Sequence, residues 1–190
     1  MLPGSPEDAQ AISAAGLVLE PLTAAHAEAM FEVLTDAEIY RYLDYGPPSS
    51  VEYLRGVYEQ LAAGRSPDGS EIWLNWIVRE PGQPPMGFVQ ATVVPANRAW
   101  VAYVLSSKHW GKGHAHAATR AMLGHLEDAH GITRFLASVE VENRRSIGLL
   151  ERLEFRLALS HEAQGHGLSG TERLYLRGQA PGANDRSGAR

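Results

Sequence analysis

The spacing of apolar residues changes along the chain, and those changes mark out its elements. Gly16 to Leu22 reads as a first strand, stopped by Pro21. Thr23 then caps a helix in which Ala27, Met30, Phe31 and Leu34 fall three and four apart on one stripe. Pro47-Pro48 breaks the chain. Ser49 and Glu52 form an S-x-x-E capping box for a second helix, with Leu54, Val57, Tyr58 and Leu61 inward and Gly64 as its stop. Residues 65–70 are turn-rich.

Beyond residue 70 the pattern shortens to that of strands. Residues 71–79 and 87–94 read as two strands parted by Pro81-Gly82-Gln83-Pro84-Pro85. Asn97-Arg98 turns into a third strand, 100–105, and the three form an antiparallel meander. A helix follows over about 114–129, with Gly131 as its terminator. Phe135, Ala137, Val139 and Val141 alternate with polar residues and mark a strand over 133–141. Residues 143–153 form a helix with Ile147, Leu150 and Leu153 inward. Residues 157–160 and 173–176 pair as a hairpin over the loop 165–170. Residues 1–15 read as loose, 16–178 as the folded domain, and the Gly-, Ala- and Arg-rich stretch 179–190 as a disordered tail. The order is strand, two helices, three strands, helix, strand, helix, two strands. That predicts one α/β (α+β) domain: a mixed, mostly antiparallel sheet of six to seven strands with about four helices on its two faces.

Composition narrows the chemistry. Within 190 residues there is no cysteine, which excludes disulfides, thiolate metal sites and a cysteine nucleophile. The net charge of −5 argues against a nucleic-acid partner, which requires a basic face. No stretch has the length and apolarity of a membrane span. Glu7 and Asp8 stand where a secretory leader would be basic and then apolar, so the expected location is cytoplasmic. His109, His114, His116, His125 and His130 lie close in sequence. Helical spacing turns His114 and His116 apart, so no metal site is expected.

The chemistry concentrates between the third strand and the helix after it. Gly111 and Gly113 let the backbone come close to a ligand, and the loop runs into a helix start that favours an anion. Lys108 and Lys112 add positive charge. Alone, this describes either a pyrophosphate cradle or a tight turn.

The run Tyr103 to Ala115, containing Lys108-His109-Trp110-Gly111-Lys112-Gly113, resembles the acetyl-CoA motif of the GNAT superfamily of N-acetyltransferases. Its Trp-Gly-Lys-Gly form is similar to the Rim-type branch, which acetylates ribosomal-protein N-termini. Residues 142–155, with Asn143 and Ser146 ahead of an apolar helix and Phe155, resemble the family's second motif. The likeness covers about residues 17–177 and is strongest from 100 to 156. It implies two central parallel strands that splay apart. Val104 and Leu105 would meet the pantetheine and thioester. Lys108, Gly111, Lys112, Gly113, His114 and Ala115 would hold the pyrophosphate. Asn143 and Ser146 would lie near the pantetheine arm or sulfur as the catalytic candidates, although Asn143 is also a good helix cap and Ser146 fits a first helical turn without further role. The implied reaction is direct attack of a primary amine on acetyl-CoA in a ternary complex. The acceptor would be a small-molecule amine or a protein N-terminus, and a homodimer is the assembly to test.

The chain also departs from the pattern. Leu150 stands where many members carry a Tyr acid. Trp100, Val101 and Ala102 stand where many carry a Glu base, Ala117 replaces a Glu after the loop, and Glu154 replaces the Gly before Phe155. Glu71, Glu140, Glu142, His109 and Tyr103 remain as candidates for the base. These departures keep a second reading open, a non-catalytic acyl-CoA sensor. A different nucleotide enzyme is disfavoured, because neither G-x-x-x-x-G-K-[ST] nor G-x-G-x-x-G occurs. Trp73 and Trp76 face opposite sides of their strand, one to the core and one toward an amine pocket. Tyr40, Tyr42 and Tyr45 form either ordinary packing or a substrate wall, and Arg144-Arg145 is a solvated helix start or a contact to CoA phosphate.

Overall fold

The computed structural model describes residues 10–178. Its strands are β1 (Ile12–Ala14), β2 (Leu17–Pro21), β3 (Ile72–Arg79), β4 (Gly87–Val94), β5 (Arg98–Leu105), β6 (Arg134–Glu140), β7 (Arg156–Leu157) and β8 (Glu172–Gly178). The helices are α1 (Ala27–Leu34), α2 (Val51–Ala62), α3 (His114–His130), α4 (Arg144–Arg152) and the single turn α5 (Ser160–Ala163). The eight strands make one sheet in the order β1-β2-β3-β4-β5-β6-β8-β7. Every neighbouring pair is antiparallel except β5–β6.

Strand alternation sends side chains to two cores. Leu74, Trp76, Val89, Ala91, Ala99 and Val101 pack against Met122, Leu123 and Leu126 of α3, Leu149 and Leu150 of α4, and Leu153 at its C-cap. On the other face, Ile77 and Phe88 meet Met30, Val33 and Leu34 of α1 and Leu54 and Tyr58 of α2. Trp76 is fully buried on the first face, whereas Trp73 is half-buried on the second with its indole N–H on Glu71 Oε2 at 2.9 Å. The expected split of the two tryptophans is therefore present.

Three local expectations are corrected. Residues 12–14 are not loose: Ala15 and Gly16, both at positive φ, turn them back onto β2. Gln10 also gives its carbonyl to the buried Trp76 indole at 3.0 Å, an N–H that would otherwise lack an acceptor. Ser50, rather than Ser49, caps α2 by accepting from the Tyr53 N–H at 3.1 Å. The last hairpin pairs Arg156 and Leu157 with Leu176 and Tyr175, and α5 occupies part of the connection. The predicted tail 179–190 lies outside the described residues.

β5 and β6 are paired only from Arg98↔Arg134 to Trp100↔Leu136. Beyond Trp100 the two strands part, while β5 stays paired with β4 as far as Leu105. The expected splay between two parallel strands is there, and it opens toward the glycine loop and the start of α4.

Candidate active site

One edge of β5 lines the gap, and backbone parity decides which groups it offers. The Ser106 N–H bonds Met86 O at 2.9 Å, on the β4 side, while Asn97 O accepts from Thr133 and Arg134 on the β6 side. Alternation then turns the amides of Tyr103 and Leu105 into the gap and those of Ala102 and Val104 onto β4, while the Val101 amide faces β6 at the last rung of the pairing, beside Leu136. Of the two residues expected to meet the pantetheine and thioester, Val104 is therefore spent on the sheet and packs its side chain toward α1 and α2, which leaves the gap to its neighbours. The Leu105 amide faces the gap, while its carbonyl accepts from Trp110 Nε1 at 2.8 Å.

The loop after β5 is built to stay open. Residues 107–109 make one 3-10 turn carrying exposed Lys108, and then Gly111 and Gly113 adopt φ of 75° and 83°. These left-handed values are cheap only for glycine. A Cβ built on either glycine would meet nothing within 4 Å. Gly113 is the N-cap of α3 and gives no side-chain cap, so the first-turn amides of His114, Ala115 and His116 precede the first helical bond, from Ala117 N–H to Gly113 O. His114 Nδ1 is buried without a partner among the described residues. Burial is the main cause that pushes the His109 imidazole down, with Lys112, His114 and Lys108 adding to it and Glu80, 3.5 Å from His114 Nε2, opposing it. An open concavity with helix-start amides, an orphaned ring nitrogen and two exposed lysines, Lys108 and Lys112, fits a pyrophosphate. Lys108, Lys112 and Ala115 sit on or beside this loop.

A residue that sequence patterning gave no reason to single out holds this loop. Asp36, before the 3-10 segment Ala37–Tyr42, accepts from the Ser107 N–H at 2.7 Å and from Ser106 Oγ at 3.0 Å. Burial opposes its charge, and the hydrogen bonds from Ser107, Ser106 and Glu38 outweigh that cost, so the carboxyl lies below its usual value. Replacing Asp36 by Ala strands the Ser107 amide, with an expected loss of about 1.5–3 kcal/mol. Because the folded carboxyl is the stronger acid, its contribution is complete above about pH 4 and disappears as pH falls through the lowered folded value. Urea melts of wild type and D36A should therefore converge below pH 4, and a constant difference down to pH 3 would refute this role.

The second motif meets the first across the gap. Asn143 caps α4 by accepting from the Ser146 N–H at 3.1 Å, which accounts for its conformation without a ligand. Ser146 Oγ lies 2.6 Å from the Tyr103 hydroxyl. The Arg145 guanidinium covers the Trp110 ring at 4.6 Å, so the helix start and the glycine loop touch. Of the candidate bases, only Tyr103 is bonded to Ser146. Glu71 is held by Trp73, and Glu140 accepts from Thr171 at 3.1 Å. The 160–170 connection also brings His166 edge-on to Trp100, with 5.4 Å between centroids, which sequence spacing gave no reason to expect. Tyr40 is committed to packing: its hydroxyl donates to Leu34 O at 2.7 Å and its ring meets Tyr45 edge-on. Among the described residues no group of three or more His, Cys, Asp or Glu is placed to hold a metal, and no helix is long and apolar enough to cross a membrane.

A splayed parallel pair leading into an open glycine loop and helix start is the arrangement that the resemblance to acyl-CoA-dependent transferases implies. The profile of the Acetyltransferase (GNAT) domain matches residues 16–156, and the chain belongs to that family. It is similar to an uncharacterized N-acetyltransferase p20 of Bacillus licheniformis, at 28% identity over 142 residues, 74% of this chain and 79% of the relative. Among solved structures, it resembles Mycobacterium smegmatis RimJ in complex with CoA-disulfide, with a TM-score of 0.74, 20% identity, and coverage of 94% of this chain and 90% of that one. It also resembles RimL, the ribosomal L7/L12 α-N-protein acetyltransferase in complex with coenzyme A, with a TM-score of 0.74, 19% identity, and coverage of 89% and 98%. At these identities the two structures speak for the fold.

Proposed function

We propose that this chain transfers the acetyl group of acetyl-CoA to a primary amine by direct attack within a ternary complex. The observation that carries this reading is the gap between β5 and β6, which runs from free strand amides into the open glycine loop. In this reading Leu105, Lys108, Gly111, Lys112, Gly113, His114 and Ala115 hold the donor. The gap-facing amide of Tyr103 polarises the thioester carbonyl, as an oxyanion hole does. Asn143 orders the start of α4, and Ser146 faces the sulfur.

The amine attacks the carbonyl carbon, the C–N bond forms, and the C–S bond breaks with its electron pair on sulfur. Proton transfer matters because an alkyl ammonium with a pKa near 10 leaves about one molecule in a thousand as free amine at pH 7. Positioning the free amine supplies a large share of the rate. The absence of cysteine supports a route without an acyl-enzyme.

The acceptor classes are a small-molecule amine and a protein N-terminus. The second is favoured by likeness to RimL, the ribosomal L7/L12 α-N-protein acetyltransferase. A second reading, a sensor that binds acyl-CoA without turnover, is favoured by buried Leu150 in the place of the usual acid. Release of coenzyme A is measured against a panel of peptide N-termini, polyamines and amino sugars. Turnover with any of them supports transfer, and tight acetyl-CoA binding without turnover supports the sensor. In the transfer reading Ser146→Ala lowers kcat by about 10²-fold and leaves acetyl-CoA affinity within about twofold. A covalent acetyl-protein trapped with donor alone would overturn direct attack.

A further inference from the structure

Leu150 is 1% exposed in the core beneath α4, so that position presents no hydroxyl to the gap. The hydroxyls at the gap come from elsewhere. Tyr103 rises from β5 on the α3–α4 side and reaches Ser146, 43 residues further on in the first turn of α4. At 2.6 Å the two oxygens share a hydrogen bond within the ordinary O–H···O range of about 2.5–3.0 Å. The Tyr103 hydroxyl also lies 3.3 Å from the Ser146 carbonyl oxygen, which is too long to compete.

We propose that Tyr103 is a positioning residue for the departing thiol: its hydroxyl donates to Ser146 Oγ and leaves the serine hydrogen free to donate to sulfur in the gap. This rests on the reading of Ser146 as facing the sulfur.

Three features support this direction. A phenol is a stronger acid than an alkyl hydroxyl, so it is the better donor and the serine oxygen the better acceptor. Burial is the main influence on the Tyr103 hydroxyl and pushes it up to about 12, while Ser146 and Arg152 act against the rise. The phenol therefore stays protonated, and stays a donor, throughout the working pH range. The Ser146 amide is also tied to Asn143 Oδ1, which fixes the helix turn carrying the hydroxyl. A chain of two aligned hydroxyls is polarised, so the terminal hydrogen is a better donor than an isolated serine offers. No proton need cross the chain. The thiolate formed when the C–S bond breaks is held by a hydrogen bond and takes its proton from water, and the amine gives its proton to water or base.

The test uses coenzyme A itself, with no acceptor. Binding is measured by calorimetry, and the bound thiol is titrated through the ultraviolet absorbance of its thiolate in wild type, Y103F, S146A and the double variant. A hydrogen bond donated to the thiolate lowers its pKa. The expected result is a wild-type bound thiol about one unit more acidic than in S146A. Y103F should recover most of that difference, with the double variant equal to S146A. A pKa that Y103F leaves unmoved, while coenzyme A binds, overturns the positioning role and leaves the transfer reading standing. Additive shifts in the double variant also overturn it, because Tyr103 would then act independently of Ser146. If coenzyme A does not bind to the wild type, the donor reading falls and takes this inference with it. Thermal melts of all four proteins accompany the titration, and a purely structural role for Tyr103 would move those without moving the thiol.

Discussion

Gly87→Ala lowers the melting temperature by about 6–12 °C, corresponding to about 3 kcal/mol or more, and weakens acetyl-CoA binding at least tenfold. Gly87 is a buried strand residue without positive φ, so nothing in its own backbone demands glycine. Its neighbour does. A Cβ there would stand 2.1 Å from Val104 O and 2.7 Å from Leu105 Cα, both backbone atoms of β5. A flexible side chain can step aside from such a contact, but a paired strand cannot. Relief requires β4 and β5 to move apart by roughly 1 Å at the end of their ladder, where Gly87 faces Leu105. That is also where β5 lines the gap, so the same displacement reaches the donor site. A melting temperature within about 2 °C of wild type would show that the sheet absorbs the methyl group and that β5 is not held as described.

Gly87 illustrates what patterning reads and what it leaves out. Alternation from 87 to 94 marks the strand and its two faces, and the structure keeps them. It says nothing about how close the facing backbone comes, because that depends on residues 17 and 18 positions away. The same limit explains Val104. Side-chain alternation assigns its face, but whether its amide points to β4 or into the gap depends on which neighbour each edge of β5 pairs with. Strand β1 was missed because three residues carry little periodicity, and the acceptor they bring to Trp76 answers an indole 66 positions along the chain. Ser49 and Ser50 are adjacent and chemically alike, so spacing alone did not choose the cap. By contrast, the glycine loop and the Asn143 cap were legible, because each works through contacts within a few residues. Tyr103 and Ser146 were both singled out, for separate roles. Their partnership spans 43 positions and appears only once the chain is folded.

Gly113→Ala and Gly131→Ala should cost the fold about the same and affect the donor very differently. The two glycines flank α3, at its N-cap and C-cap, with φ of 83° and 62°. Each is surrounded by open space, with no atom within 4 Å of a built Cβ. Alanine at either place therefore meets only the backbone penalty of the left-handed region, about 1–2 kcal/mol, and a fall in melting temperature of about 2–8 °C. At the C-cap the consequence ends there. At the N-cap the methyl group projects beside the free amides that the proposed function gives to pyrophosphate, so it competes with the ligand for the space these glycines keep clear. Gly113→Ala should raise the acetyl-CoA dissociation constant tenfold or more, equivalent to about 1.4 kcal/mol, while Gly131→Ala leaves it within about twofold. Calorimetric titration of both variants at one ionic strength makes the comparison, since salt screens the charged contribution of Lys108 and Lys112 in each equally. Equal affinities in the two variants would remove the loop from the donor site. The gap between β5 and β6 would then be left without its phosphate anchor.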